Sequence, residues 1–140
     1  MKLKIKKLHA DAIIPKYAHF DDAGFDLFAV EDTLVKKNER AIIKIGIAME
    51  IPTGYVGLVW DKSGISVKEG IKTLAGVVDS TYRGEALVAV INLGNVDYVF
   101  KKGHKVAQMI IQKKETVEFE EVEELSETKR GEGGFGSTGK

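Results

Sequence analysis

Apolar and polar residues alternate over short runs of this chain, and this period of two constrains the fold more than any other feature. The runs are rich in Val, Ile, Tyr and Phe and are separated by Gly, Pro and Asn, as in β-strands joined by turns. We predict strands over the following runs: Lys2 to Leu8, Ala41 to Ile51, Tyr55 to Trp60, Ala86 to Leu93, Val96 to Lys101, Lys105 to Ile111 and Thr116 to Val122. Such strands need closed or covered edges, so the sequence predicts an all-β jelly-roll, either a β-sandwich or a barrel.

Helix signals are sparse. Only Gly64 to Gly70 has room for a turn or two of helix, and no segment shows a long helical period of about 3.6 residues. A length of 140 residues and a hydrophobic fraction of 44% suit one compact domain without disulfides. We therefore predict a β domain over residues 1–128 and a flexible, glycine-rich tail over residues 129–140.

The charge balance and the absence of cysteine exclude several classes of protein. Lys and Arg total 21, and Asp and Glu also total 21, so no bulk attraction to nucleic acid or to a membrane is expected. With no Cys, thiolate nucleophiles and zinc–thiolate sites are excluded, and an intracellular, cytoplasmic location is expected. The longest run without a charged residue, Ala86 to Val96, is far shorter than the roughly 20 residues of a membrane-spanning helix.

An acidic segment follows the last long strand. Glu115 to Glu127 contains seven glutamates and no basic residue, interleaved with Val117, Phe119, Val122 and Leu125. We interpret it as a solvated strand face, and an acidic docking surface is the alternative.

The tail from Gly131 to Gly139 contains five glycines and cannot form core, because glycine buries little surface. It matches GxGxxG and the start of a P-loop, but the chain ends where either motif needs a helix. Glycine amides approach phosphate oxygens closely, while Arg130, Ser137 and Thr138 add donors and Phe135 adds an aromatic face. We predict a lid that closes over a nucleotide triphosphate; an inert linker is the alternative.

The run GVVDSTYRGE (Gly76 to Glu85) leads into the strand at Ala86 and predicts a hairpin-like corner. Asp79 is a candidate general base that aligns a water molecule, and Tyr82 is a candidate to lie against a sugar ring. An Asp before Ser-Thr is also a common turn former whose side chain caps its own backbone, and this alternative stays open.

Two further loops are suited to phosphate and metal. In DKSGIS, Lys62, Ser63 and the backbone of Gly64 can bind phosphate oxygens, although a simple polar turn is equally compatible. DDAGFDL (Asp21 to Leu27) offers three carboxylates suited to Mg²⁺ held through water, or merely solvated loop charges. Gln108 lies among apolar residues and predicts an inward-pointing amide. The three histidines lack metal-ligand spacing and are treated as incidental.

Taken together and in order, AGFDL, KSGIS, GVVDSTYRGE, GHKVAQMI and RGEGGFGSTG resemble the five motifs of the trimeric dUTPase family. The resemblance runs from about residue 23 to residue 139. It implies a jelly-roll homotrimer whose three active sites lie at subunit interfaces. It also implies Mg²⁺-assisted hydrolysis of dUTP to dUMP and pyrophosphate, which limits uracil incorporation into DNA and supplies dUMP for thymidylate synthesis.

The resemblance implies a role for each matching residue. Asp79 resembles the base that orients water toward the α-phosphorus, and Asp26 resembles the carboxylate that holds Mg²⁺ through water. The residues that resemble phosphate ligands are Lys62, Ser63, Gly64, Gln108, Arg130, Ser137 and Thr138. The residues that resemble contacts to uracil or deoxyribose are Thr73, Val77, Val78, Tyr82, Leu87, Phe135 and Gly136. Within the second set, the backbone at Val77 and Val78 would read the uracil edge, Tyr82 would exclude a 2′-hydroxyl, and Phe135 would stack over the base.

Three positions depart from the family pattern. Lys62 stands where Arg is usual and lacks the bidentate fork of a guanidinium. Asp21 and Asp22 precede the first motif where small polar residues are common, and Thr73 stands where many bacterial relatives have an Asn. The alternative functions are dCTP deaminase, alone or combined with dUTP hydrolysis, and a non-catalytic nucleotide-sensing module.

Overall fold

The computed structural model describes residues 1–134, and these residues form ten strands and one short helix. In chain order the elements are β1 (Lys4–Lys7), β2 (Phe25–Phe28), β3 (Thr33–Val35), β4 (Arg40–Glu50), β5 (Tyr55–Asp61), α1 (Ser63–Glu69), β6 (Ile71–Leu74), β7 (Val77–Asp79), β8 (Glu85–Asn92), β9 (Tyr98–Phe100) and β10 (Lys105–Lys113). The prediction of a mostly β chain with at most one short helix is confirmed.

The strands form two four-stranded sheets and a two-stranded ribbon. One sheet has the order β1-β4-β8-β6, the other has the order β2-β10-β5-β7, and the ribbon pairs β3 with β9; every pairing is antiparallel. Within residues 1–134 the sheets do not close on themselves. Of the two predicted architectures, the sandwich-like arrangement is therefore the one observed.

The core lies between the sheets and is filled by alternating side chains. Strand β8 follows the predicted period of two, because Val88 and Val90 are buried while Leu87 is exposed. Ile43 and Ile45 of the neighbouring strand β4 belong to the same buried cluster, together with Met109 of β10 from the other sheet. Each fully buried aliphatic side chain of this kind contributes about 1.5–3 kcal/mol of transfer free energy.

One buried polar side chain fastens the end of β8. Asn92 is fully buried, and its amide nitrogen donates to the carbonyl oxygens of Val35 and Val96 at 3.0 and 2.8 Å. Its side-chain oxygen accepts the amide proton of Gly94 at 2.8 Å. Because its amide group has partners on both sides, its burial is compatible with a stable core.

The predicted strand over Thr116 to Val122 is wrong. Residues 114–127 form no strand and remain exposed, including Phe119 and Leu125 at 96% and 87%. The alternation of apolar and acidic residues is present in the sequence, but none of the strands within residues 1–134 pairs with this segment. We call residues 114–127 the acidic arm.

Four strands escaped the sequence prediction. β2 is buried at all four positions, so it has no alternation to detect, and β3, β6 and β7 have only three or four residues each. The helix was predicted at Gly64 to Gly70 and is found one residue earlier, ending at Gly70 in the left-handed conformation. Within residues 1–134 no helix is long and apolar enough to cross a bilayer.

Candidate active site

The corner between β7 and β8 contains a small cavity of about 230 Å³. Its lining brings together five of the residues predicted from the sequence: Val77, Val78, Asp79, Tyr82 and Leu87. The side chains of Val77, Tyr82 and Leu87 are 68%, 48% and 44% exposed. Apolar groups left this open around a concave surface are available to a ligand or to a second chain.

Glycines and backbone hydrogen bonds shape this corner. The carbonyl of Gly76 accepts the amide of Val59 at 2.7 Å, and a Cβ at Gly76 would lie 2.6 Å from the carbonyl oxygen of Val59. In the turn, the hydroxyl of Tyr82 donates to the carbonyl of Glu85 at 3.0 Å and lies over Gly84. At Gly76 the close atom is backbone, so only glycine fits there; a side chain at Gly84 would instead displace the Tyr82 ring.

Asp79 is the last residue of β7 and is exposed. Its carboxylate has no side-chain partner within the described part of the chain. Its carbonyl accepts the amide of Tyr82 at 3.1 Å, which closes the turn. The nearby Arg83 donates instead to the carbonyls of Ser80 and Tyr82 at 2.6 and 2.8 Å. Within residues 1–134 the Asp79 carboxylate is therefore available to accept a hydrogen bond from water.

A second group of predicted residues surrounds Asp26 on β2. Asp26 is only 2% exposed, and an ammonium group lies beside each of its oxygens: Lys62 Nζ lies 2.7 Å from Oδ1 and Lys105 Nζ lies 2.7 Å from Oδ2. Burial by itself raises the pKa of Asp26, but the ammonium groups of Lys105 and Lys62, each in ion-pair contact with one oxygen, outweigh it and hold the pKa below its ordinary value. The two ammonium groups are partly exposed and can also reach a ligand.

Asp61, the last residue of β5, connects three elements beside this group. Its Oδ1 accepts the amide and the hydroxyl of Thr73 at 2.7 and 2.6 Å, and its Oδ2 pairs with Lys72 at 2.8 Å. Its carbonyl accepts the side-chain amide of Gln108 at 2.9 Å. Burial raises the pKa of the Asp61 carboxyl, but the bonds from Lys72 and Thr73 outweigh this effect and lower it.

The same contacts locate Thr73 and Gln108. Thr73 is buried, its hydroxyl is committed to Asp61, and it does not line the cavity at Asp79. Gln108 pairs in register with Asp26 on one side and with Trp60 on the other. A Cβ at Gly24 would lie 2.9 Å from Oε1 of Gln108, so glycine there leaves room for the amide.

Ser63 and Gly64 begin helix α1 directly after Lys62. Lys62 has extended backbone angles and provides no side-chain cap for the helix. A Cβ at Gly64 would meet nothing within 4 Å. This start of the helix is therefore open and lies next to the lysine ammonium that faces Asp26.

The two groups lie at opposite ends of β5. Asp79 pairs with Val56 near the beginning of that strand, whereas Gln108 and Lys62 lie near its end at Asp61. Five strand steps of about 3.4 Å separate Val56 from Asp61, or about 17 Å. Within one chain, the candidate base Asp79 is therefore far from the candidate phosphate ligands Lys62 and Gln108.

Of the tail residues that were predicted to contact substrate, the structure describes only Arg130. This residue is exposed and donates through Nε to the carbonyl of Gly133 at 2.6 Å. Phe135, Gly136, Ser137 and Thr138 lie outside the described residues.

The residues around Asp26 do not form a direct metal-binding cage. Within residues 1–134 no group of three or more His, Asp or Glu side chains is arranged to hold a metal ion. Asp26 itself is a single carboxylate with an ammonium on each oxygen. As a single carboxylate, Asp26 could hold a Mg²⁺ ion only together with further ligands such as water or phosphate oxygens.

Three residues that contact the predicted site residues or line the cavity were not predicted from the sequence. Lys105 was missed because the alternation of apolar and polar residues along β10 does not reveal the bulge that brings this lysine to Asp26. Asp61 was read as part of a turn, because its partners Lys72 and Thr73 come from another strand. Ala75 lines the cavity with a φ of 50°, a left-handed conformation that its sequence does not indicate.

An open carboxylate at an apolar cavity, on a β-sandwich whose loop after β5 offers a lysine, a serine and a glycine, is compatible with an enzyme that hydrolyses a nucleotide. Comparison with known sequences narrows the class. The profile of the dUTPase family matches residues 10–139, and the chain belongs to this family. Membership makes it a hydrolase of nucleotide metabolism.

Individual relatives agree over the whole length. The deoxyuridine 5′-triphosphate nucleotidohydrolase of Nautilia profundicola is 49% identical and that of Clostridium kluyveri is 48% identical, over 100% and 99% of both chains. The dUTPase of Staphylococcus bacteriophage 80alpha with dUPNHPP superposes with a TM-score of 0.93 at 32% identity, covering 99% of this chain and 98% of that chain. The D95N dUTPase of phage phi11, described with a structural Mg(II) ion, gives 0.82 at 29% identity, covering 89% and 98%.

Proposed function

We propose that this chain hydrolyses dUTP to dUMP and pyrophosphate by attack of an Asp79-aligned water on the α-phosphorus. The observation that carries the proposal is the unpaired, exposed carboxylate of Asp79 at the mouth of the cavity lined by Val77, Val78 and Tyr82. Family membership supplies the substrate, and the relatives crystallised with dUPNHPP support it.

The cavity accounts for selection of the nucleoside. The backbone of Val77 and Val78 lies at the edge of the sheet and offers fixed donors and acceptors to uracil; cytosine reverses the pattern at one edge and leaves buried groups unpaired. The Tyr82 ring, held by its bond to Glu85, packs beneath deoxyribose and leaves no room for a 2′-hydroxyl. Leu87 completes the apolar wall. Thr73 acts through Asp61, while Phe135 and Gly136 are proposed to cover the base.

The chemical step needs no covalent enzyme intermediate. Asp79 accepts a proton from the water molecule as the water oxygen forms a bond to the α-phosphorus. The bond from that phosphorus to the oxygen that bridges to the β-phosphate breaks. The electron pair leaves with pyrophosphate. The exposed position of Asp79 suits this role because solvent water can reach its carboxylate.

Cationic and neutral donors hold the phosphates. Lys62 supplies charge, while Ser63, the backbone of Gly64 and the amide of Gln108 supply directed donors. Residues 129–140 are proposed to act as a lid that brings Arg130, Ser137 and Thr138 to the terminal phosphate and excludes bulk water. The division into a domain over 1–128 and this lid remains a proposal, as does a cytoplasmic location.

Mg²⁺ is proposed to enter with the triphosphate, and Asp26 would hold it through water. When bound, the ion neutralises charge on the phosphates and on the pyrophosphate that leaves. Lys62 and Lys105 now cover both oxygens of Asp26, so contact with such a water requires one lysine to move.

We propose a homotrimer in which each site draws residues from different chains. The α- and γ-phosphorus atoms are separated by only two P–O–P links, far less than the separation of about 17 Å between the two groups along β5. Lys62 of a second chain therefore suits a nucleotide at Asp79 better than Lys62 of the same chain. The exposed acidic arm and an apolar groove of about 390 Å³ that includes Leu3, Ile5 and Ile111 offer surface for the contact.

A substrate panel tests the proposed function. The protein is incubated with Mg²⁺ and, separately, with dUTP, dCTP, dTTP or UTP, and the products are separated by chromatography. We expect pyrophosphate and dUMP from dUTP alone. Uracil nucleotides formed from dCTP would instead identify a deaminase, and binding without turnover would identify a nucleotide-sensing module.

A further inference from the structure

A β-bulge brings Lys105 to the buried carboxylate of Asp26. On β10, Gln108 pairs with Asp26 and Ala107 pairs with Leu27, but Lys105 pairs with Phe28, so one residue is inserted at Val106. Val106 and Ala107 are consequently both buried. In a regular strand Lys105 and Gln108 would point to opposite faces; the bulge places them on the face of Asp26.

The resulting cluster has one more positive charge than Asp26 needs. Lys62 and Lys105 each approach a separate oxygen at 2.7 Å, and the Asp26 side chain is 2% exposed. A single ammonium would compensate the carboxylate. The lysines are themselves 26% and 45% exposed, so either can contact a ligand without being extracted from the core.

We propose that Lys105 is a positioning residue that keeps Asp26 compensated when Lys62 leaves it to bind a substrate phosphate. The inference rests on the proposed role of Lys62 as a phosphate ligand. Asp26 is then the resting partner of Lys62, and Lys105 is its permanent partner.

The physical reason is the asymmetry between making and breaking a buried ion pair. A buried carboxylate left without a cation is strongly destabilised, more than the pair itself is worth. Without Lys105, transfer of Lys62 to phosphate would strand Asp26 in that state, so Lys62 would stay where it is. With Lys105 present, the transfer exchanges one anionic partner for another. The cluster therefore holds Lys62 beside Asp26 in the free protein and still allows it to move to a substrate phosphate.

The chain contains a matched control. Lys101, four residues before Lys105, pairs with Asp32 at 2.9 Å, and both side chains are more than half exposed. Removing Lys101 deletes the same charge from the same region. It leaves no buried carboxylate without a cation, because Asp32 remains solvated.

The experiment compares K105M, K105R, K101M, K62M and the double variant D26N/K105M. For each, titration calorimetry with a non-hydrolysable imido analogue of dUTP and with dUMP is run with and without Mg²⁺, alongside thermal unfolding and steady-state kinetics. We expect K105M to weaken binding of the analogue about tenfold or more and to change dUMP binding little. K105R and K101M should remain close to the unmodified protein. D26N removes the buried carboxylate that would keep Lys62 in place. D26N/K105M should therefore bind the analogue more tightly than K105M in Mg²⁺-free buffer.

Equal affinity of K105M and K101M for the analogue would overturn the inference, and so would a K105M defect that D26N fails to relieve. An equal loss of analogue and dUMP binding by folded K105M would show a structural role instead. Failure of the proposed function is distinguishable. If K62M leaves analogue affinity unchanged, Lys62 is not a phosphate ligand; if K62M weakens it and K105M does not, only the role of Lys105 is wrong.

Discussion

At the scale of single residues, Asp79 and Asp26 show how environment assigns different work to the same side chain. Asp79 is exposed and has no side-chain partner within residues 1–134, whereas Asp26 is buried between two lysines. A free carboxylate can align water, and a paired one can hold a cation in position. The sequence names both residues through motifs, but only the fold shows that their surroundings differ.

Replacing Asp79 with Asn should abolish most turnover while preserving substrate binding. The amide keeps the size of the side chain but cannot take a proton, so kcat should fall about a hundredfold to ten-thousandfold. Calorimetry with a non-hydrolysable dUTP analogue should give an affinity close to that of the unmodified protein. Asp21→Asn, at an exposed loop position, is the control and should retain full activity. Unchanged kcat in D79N would remove Asp79 from the base role.

Acid should destabilise the protein partly through Asp61. Its folded-state pKa lies below the ordinary value of 3.8, so its contribution is complete above that value and is lost as the pH falls through the folded-state pKa. Asp61→Asn, which also disturbs the bonds to Thr73 and Lys72, should cost about 1–3 kcal/mol at neutral pH. Denaturant unfolding between pH 7 and pH 3 should show a smaller decline for D61N than for the unmodified protein. Parallel pH curves would contradict this account.

At the scale of elements, helix α1 combines a weak helix residue with an open surface. Gly64 lies inside the helix, and a Cβ there meets nothing within 4 Å. Gly64→Ala should therefore stabilise the fold by about 0.5–1 kcal/mol through helix propensity. If phosphate approaches this backbone closely, the same change should raise KM for dUTP. Thermal unfolding and kinetics measure both, and a G64A variant with unchanged KM would remove Gly64 from the phosphate contacts.

The elements also show what the sequence could and could not predict. Strands with one buried face, such as β8, were predictable because burial imposes a period of two. β2 has no exposed face to produce alternation, and the register of β10 shifts at a bulge that brings Lys105 to Asp26. The acidic arm alternates like a strand but pairs with no strand in the described part of the chain. Motif residues were predictable, whereas Asp61 depends on contacts between strands that are distant in sequence.

At the scale of the whole molecule, the separation of Asp79 from Lys62 along β5 predicts sites completed by other chains. D79N and K62M, each impaired alone, should recover activity when co-expressed, because mixed trimers contain sites with an intact Asp79 from one chain and an intact Lys62 from another. Activity per site, compared with each variant alone, measures the recovery. Light scattering of the unmodified protein should give three times the mass of 15.4 kDa. No recovery in verified mixed oligomers would place each site within one chain.

The position of water attack is the most direct test of the mechanism. Hydrolysis of dUTP in water enriched in heavy oxygen, with both products analysed by mass spectrometry, identifies the phosphorus that receives the new oxygen. Asp79 at the cavity that holds the nucleoside predicts that the label enters dUMP and that pyrophosphate remains unlabelled. Label in pyrophosphate and none in dUMP would mean attack at the β-phosphorus and would contradict the account.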